Sequence, residues 1–551
     1  MRRSRAIVVM AVLAATLVSG GWLLERGLGT RRSAGTARLF DAVLAHVAQQ
    51  FVDSIPPDSL YARAAVGLIA ELRDPHSAYL GADRLARLTE RTTGGYVGLG
   101  VQIDVTGEGI VVVETMPGSP AEHAGLQSGD RIVRIGAHAT SGWTPEEARR
   151  AMRGRPGSVV SVLVVRVGVA APLSMSVARA DIHIHSVRFA SMVAPDVGYV
   201  DVAIFSDSTA DELAAAIEQL RRDAPGMHTL LLDLRNNPGG VLEQGVQVSD
   251  LFLDPPQSIV TMRGRDTTAT HRYTDEARQR WPDLGIITLV NGMTASASEI
   301  VAGALQDHDR GVILGTPTYG KGSAQTLFER DERGIELAGG GAVKLTTARW
   351  FTPSGRSISI IRGRRPDEDD ADGTAADAGA ALRARPTYRT DAGRTVFGGG
   401  GIGPDVTVSE DSSRDPRALQ HRLGADVPRF RDALTEVGIA YKGAHLGGRA
   451  LRSDFTVSRA MREALWQSLE RRHALLSRPA FDSADMAISR QLGYEIARYA
   501  IGPEAEIRRR IIDDNVIASA TQLASGSSSP AELLRRASER GTRRDSSSAR
   551  R

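Results

Sequence analysis

From residue 37, apolar positions recur every three to four residues through ARLFDAVLAHVAQQFVDSIPPDSLYARAAVGLIAEL (37–72), with Pro56-Pro57 in the middle. That spacing predicts two amphipathic helices, followed by a turn-rich link, RDPHSAYL (Arg73–Leu80). The texture changes near Gly94. From there to Val177, short β-branched runs (YVGLGVQIDV, GIVVVETM, DRIVRIG, VVSVLVVRV) are divided by glycine turns. MPGSPAEHAGLQSGD and TPEEARRAMRG read as helices among them, so a compact module of five or six strands and two helices is expected.

Beyond Val197, strands and helices alternate. GYVDVAIF, HTLLLDL, IITLVN and GVILG are strand-like, and STADELAAAIEQLRR, VLEQGVQVSDLFL and SEIVAGALQDH are helical. Thr209 and Glu212 have the spacing of a capping box. Repeated strand–helix units predict an α/β fold with a largely parallel sheet, whose carboxyl ends carry the active groups. Residues 362–396 are charged, aperiodic and rich in Ala, Gly and Asp, the signature of a mobile insertion. Helical, polar sequence follows from about Pro416 to Ala524, and the basic end, RRASERGTRRDSSSARR, is expected to be disordered.

At the other end, three arginines precede an uncharged apolar run, Ala6–Leu24, about as long as a bilayer-spanning helix needs. Positive flanks stay cytoplasmic, so an inner-membrane anchor with the rest of the chain exported to the periplasm or outside is expected. The alternative is a cleaved signal peptide, although no clean A-x-A site precedes Glu25. Composition adds exclusions. The chain has 551 residues, 42% hydrophobic and 24% charged, and a formal net charge of +3, which gives no electrostatic case for nucleic acid. It has no cysteine, so disulfides, thiolate metal sites and a cysteine nucleophile are ruled out.

GTPTYGKGSAQ (315–325) nearly spells a phosphate-binding loop, but Gly322 stands where the motif needs the Ser or Thr that holds magnesium. A different role for Lys321 comes from NGMTASASEIVAGALQD (291–307). Ser296 falls at a strand-to-helix turn, where the first helix amides, beginning with Ala297, point at any oxyanion formed beside it. A serine needs a base, and a lysine serves if burial lowers its pKa from about 10.4 toward neutrality. Lys321, flanked by Gly320 and Gly322, would reach Ser296 from the adjacent strand end, and Gln325 would share its face if the segment formed a helical turn. Two plainer readings compete: Ser296-x-x-Glu299 is itself a capping box, and Ser298 is a second candidate nucleophile.

These segments resemble the carboxyl-terminal processing peptidases, the tail-specific serine proteases of family S41. The resemblance runs over roughly 40–410 and includes RDPHSAYL (with Arg73 where leucine is usual), GYVDVAIFSDSTADEL, LLDLRNNPGGVLEQ, TASASEIVAGALQD, TYGKGSAQ, KLTTARWFTPSGRSI and GIGPDV. It implies a spiral of β/α units of the ClpP and crotonase kind, with an inserted PDZ domain. Ser296 matches the nucleophile, Lys321 the general base and Gln325 the lysine-orienting residue. The oxyanion hole would combine the Ala297 amide with one from Gly239 or Gly240, in the Asn237-Pro238-Gly239-Gly240 loop. Gly94–Val177 resembles the PDZ module, in which Gly98-Leu99-Gly100-Val101 would grip a terminal carboxylate while the peptide adds a strand.

The expected division is 1–36 anchor, 37–92 helical part, 93–180 PDZ, 181–410 catalytic core, 411–530 helical region and 531–551 tail. Expected partners are protein substrates with free C-termini and the membrane, with a homo-oligomer or regulatory partner left open. A catalytically silent PDZ scaffold is the binding-class alternative, and a P-loop nucleotidase is contradicted by Gly322. No cofactor or metal is expected. His183 and His185 share one strand face as two ligands would, but no third ligand is evident. His76 is expected to bond at a helix end, Asp233 to hold the loop, and Asp367–Asp370 to be solvated.

Overall fold

The computed structural model describes residues 38–548 except 108, 266–269, 331–333, 335, 338–339, 361–384, 411–415, 445–450 and 453. The chain divides into two compact units, Met1–Ala86 with Gln325–Thr346, and Arg87–Ala324 with Thr347–Arg551.

In the first unit the two expected helices occupy residues 38–50 and Pro57–Ala70, the second starting on the Pro that the first turn of a helix tolerates. The strand Ala78–Leu80 pairs antiparallel with residues 342–344, Ala78 opposite Lys344. Leu39, Phe40, Val52 and Leu68 are exposed. The membrane placement is corrected here. Among the described residues no helix is long and apolar enough to cross a membrane, because the helices are short or carry charges on one face. The run Ala6–Leu24 itself lies outside the described residues.

The second unit is built on a six-stranded sheet. Val197–Val202, Thr229–Asp233, Gly285–Val290, Val312–Gly315 and Val406–Thr407 lie parallel in that order, with Val187–Ala194 antiparallel at one edge. Successive side chains face opposite sides, as strand geometry requires. Val200, Leu230, Leu232, Ile286 and Ile313 pack under the helices Thr209–Asp223, Leu242–Asp250 and Ala297–Asp307. Tyr199, Leu231, Ile287, Leu289 and Leu314 face the other way, onto Val516, Ile517, Leu523, Leu533 and Ala537. Each such side chain contributes about 1.5–3 kcal/mol by leaving water, which is why both faces are covered.

Three expectations change. The helix expected to be capped by Thr209 has Ser208 at its N-cap position, and the Thr209 hydroxyl donates to the Ser206 carbonyl at 2.8 Å. Glu212 is thereby released from capping. Pro530–Ser548 is a helix, not a disordered tail, and Leu533 and Ala537 bury against the sheet. Within the insertion, Thr387–Arg389 and Thr395–Phe397 form a hairpin, and Arg394 pairs with Asp309 and Asp405; residues 362–384, including Asp367–Asp370, lie outside the described residues.

The Gly94–Val177 module has a sheet ordered Val101–Thr106, Gly109–Thr115, Arg131–Ile135, Val159–Val165 and Leu173–Ala178, with His138–Ala139 paired to the middle strand. Its helices are Pro120–His123 and Pro145–Met152, the latter capped by a Thr144–Glu147 box. A two-stranded ribbon, Gly95–Gly98 against Ala180–His183, joins it to the rest. It also meets a helical bundle that includes Val427–Ala444, Arg459–Arg471 and Asp485–Ala500. That contact includes Val111 against Ile439 and Tyr499, the Gly107 N–H on Asp432 (3.0 Å), Arg431 on the Val105 carbonyl (2.9 Å) and beside Asp104, and Lys442 on the Ser128 carbonyl.

Candidate active site

Ser296 sits where Gly285–Val290 turns into Ala297–Asp307, with φ 58° and ψ −116°. A non-glycine residue in that region stores strain, and here the surroundings impose it. The Ala295 N–H and the Ser298 hydroxyl both donate to the Asn237 carbonyl, at 3.0 and 3.1 Å, and the Thr294 hydroxyl donates to the Leu234 carbonyl at 2.8 Å. The turn is thus stitched to the loop after Thr229–Asp233. Ser298 is fully buried with its hydroxyl committed, while Ser296 stays half-buried, so of the two candidate nucleophiles Ser296 is the reachable one.

Glu299 links this turn to Lys321. Its buried carboxylate accepts four donors: Ser296 N–H (2.8 Å), Thr318 hydroxyl (2.5 Å), Gly320 N–H (2.7 Å) and Lys321 N–H (2.9 Å). Burial pushes its carboxyl above the ordinary range, against the pull of those four bonds. The capping-box spacing noted in the sequence is therefore half of a larger junction, which sequence alone shows only as a helix start. The same bonds close the phosphate-loop reading: the Gly320 and Lys321 amides are spent on a carboxylate, and a strand, Ser323–Phe328, follows where a P-loop needs a helix. That strand also corrects the helical-turn argument for Gln325, which belongs to the first unit and donates from Nε2 to Thr346 Oγ1 at 3.2 Å.

Gly239, at φ 87°, lies against the Ser296 turn. A Cβ there would come within 2.8 Å of Ser296 Cβ and 2.9 Å of the Ala297 nitrogen, so only glycine fits. Its N–H donates to Asn237 Oδ1 at 2.9 Å, and Asn237 Nδ2 is held on the Val202 carbonyl at 2.7 Å. Gly240 forms a parallel bridge with Phe205 through the bonds Phe205 N–H to Gly239 O and Val241 N–H to Phe205 O, which leaves Gly240's own N–H on the opposite side. Asp233 holds the loop as expected, accepting the N–H and guanidinium of Arg235 and the Tyr199 hydroxyl. At the other candidate, His76, the main-chain N–H donates to Asp74.

In the ribbon-linked module, the Leu99 and Gly100 carbonyls are tied inward by the Ala121 and Met116 amides, both at 2.9 Å. Sequence reading missed Tyr96. Its ring lies over Gly98, where a Cβ would meet it at 2.5 Å, its phenol oxygen faces the Gly100 N–H, and Arg153 stands 5.5 Å from the ring centroid.

The peptidase family S41 profile matches residues 196–369 and the PDZ domain profile residues 111–166. The carboxy-terminal-processing protease of Bartonella bacilliformis is 39% identical over 331 residues, 60% of this chain and 73% of that protein. The chain belongs to peptidase family S41, among the carboxy-terminal-processing proteases. As a member of S41 it is a serine endopeptidase bearing a PDZ domain. The "Probable CtpA-like serine protease" of Staphylococcus haemolyticus is 32% identical over 55% of this chain and 58% of its own length. Among solved structures, the photosystem II D1 C-terminal processing protease aligns with a TM-score of 0.35 at 27% identity, over 68% of this chain and 88% of that one.

Proposed function

We propose that this S41 peptidase cleaves protein substrates near their C-termini with a Ser296–Lys321 dyad. Ser296 Oγ attacks the scissile carbonyl carbon, and Lys321 Nζ, entering uncharged, takes the hydroxyl proton. The carbonyl oxygen becomes an oxyanion held by the N–H groups of Ala297 and Gly240. Collapse breaks the C–N bond, with Lys321 returning its proton to the leaving amine, and water then releases the acyl group by the same route. Gly240 is preferred over Gly239 because the Gly239 N–H is already bonded to Asn237. Gln325 as the lysine's orienting partner rests on the family resemblance. Substrate tails would be captured at Gly98-Leu99-Gly100-Val101 by strand addition along Val101–Thr106, a strand at the edge of its sheet.

The observation that carries this reading is the Glu299 carboxylate, which ties the Ser296 turn and the Lys321 loop together. The test compares purified wild type, Ser296→Ala and Lys321→Ala on an unstructured protein, with the new chain ends sequenced. Both variants are expected to be folded and inactive. Cleavage surviving in either one rejects the dyad.

A further inference from the structure

Two histidines with no part in the peptidase chemistry meet a third ligand that the sequence hid. His183 ends the strand Ala180–His183, His185 follows two residues later, and their rings meet edge to face with centroids 4.7 Å apart. Glu212, from the first turns of Thr209–Asp223, faces both. One oxygen lies 2.8 Å from His183 Nε2, and the other 3.6 Å from His185 Nδ1. The three ligand atoms all lie within 4.8 Å of one another, and this is the only such group among the described residues.

We propose that His183, His185 and Glu212 bind a divalent transition metal of the zinc class at the ribbon joining the PDZ domain to the peptidase core. Two imidazole nitrogens and one carboxylate are a donor set that zinc favours, with a fourth position left to water. Ligands on a tetrahedral zinc sit about 3.3 Å from one another, so closing the site needs only small side-chain rotations from the observed spacings. The two imidazoles are 45% and 66% exposed, which leaves that fourth position open to solvent. The Glu212 carboxylate is already held in place. The Ser208 hydroxyl donates to one Glu212 oxygen at 2.6 Å and the Val187 N–H to the other at 3.0 Å, fixing the carboxylate as outer-shell partners do. An ordinary surface ion pair would need one histidine, whereas here two converge on opposite oxygens of one carboxylate.

The location gives the site a consequence. His183 is paired with Gly95 in the ribbon, and the Ile184 N–H returns to the Gly94 carbonyl. A metal held by both histidines and Glu212 therefore staples the PDZ-bearing ribbon to a helix of the core.

The test uses untagged, chelator-stripped full-length protein titrated with zinc chloride against a chromophoric chelator, and separately with cobalt chloride. Wild type is expected to bind one zinc per chain and to give cobalt visible bands of tetrahedral intensity. His183→Ala, His185→Ala and Glu212→Gln are each expected to weaken zinc binding at least ~10-fold. Metal-free thermal unfolding of the two exposed-histidine variants, unchanged from wild type, separates ligand loss from misfolding. Absence of stoichiometric binding in wild type, or undiminished binding in the His183→Ala/His185→Ala double variant, overturns the proposal.

Discussion

The carboxylate of Glu299 holds the main-chain N–H of Lys321 at 2.9 Å, through the same oxygen that accepts the N–H of Ser296. One buried atom thereby sets the separation of the two loops. Glu299→Gln puts an amide nitrogen in place of one acceptor and faces a donor with a donor. We expect kcat to fall about 10-fold or more with KM little changed, and labelling of Ser296 by a fluorophosphonate to slow in parallel. Glu299→Ala is expected to lower Tm by about 5 °C or more, since it leaves buried N–H groups without acceptors. Wild-type labelling kinetics in Glu299→Gln would remove this residue from the positioning of the site.

The Ser296 backbone yields a prediction about stability against activity. At φ 58° and ψ −116°, strain of about 1–3 kcal/mol is stored in the turn. Ser296→Gly can relax it, while Ser296→Ala cannot. Both are expected to be inactive, but the glycine variant should be about 1 kcal/mol more stable than the alanine variant in urea titrations. Equal midpoints would show that the turn is unstrained.

Tyr96 bears on the proposed capture of the substrate tail. Its phenol oxygen faces the Gly100 N–H, one of the donors proposed for a peptide carboxylate. Tyr96→Phe is expected to tighten binding of a fluorescent peptide with a free C-terminus severalfold and to leave its amidated twin unaffected. Identical anisotropy titrations for wild type and variant would mean that the phenol does not compete.

A pH effect comes from Asp275. Burial, followed by hydrogen bonding and repulsion with Asp250, pushes its carboxyl up to about 7. A folded-state pKa above the unfolded value means that the native form binds the proton more tightly. Its contribution is therefore fully present below the ordinary carboxylate pKa of about 4 and is lost as pH rises through about 7. Asp275→Asn mimics the protonated group. Between pH 5 and pH 8 its Tm should fall less than that of wild type, the two differing by a few degrees at pH 8.

Much of the fold could be read from the chain because strands such as Thr229–Asp233 and helices such as Ala297–Asp307 announce themselves by period. Helix Pro530–Ser548 could not. Leu533 and Ala537 are the buried anchors in an otherwise polar stretch, and only the sheet beneath them makes the helix worthwhile. Ser296 and Lys321 stood out through their glycine-rich neighbours and their resemblance to a family. Glu299 and Glu212 were both visible as fourth members of S/T-x-x-E patterns, yet their partners lie 22 and 29 residues away along the chain. Local spacing carries no information about such bonds. Tyr96 was silent for the same reason: its role depends on a ring folding back over Gly98.

The seam between the PDZ domain and the helical bundle has its own lesson. Val111, Ile439 and Tyr499 supply a small greasy spot, with Val167 close against Gly443, and polar links run through Asp104, Arg431, Asp432 and Lys442. Prising it apart would wet little oily surface, so heat has weak leverage there. Dissolved ions have more, because they compete for every charged tether at once. The PDZ domain of this enzyme is thus moored by ropes that brine should slacken while the peptidase core stays folded.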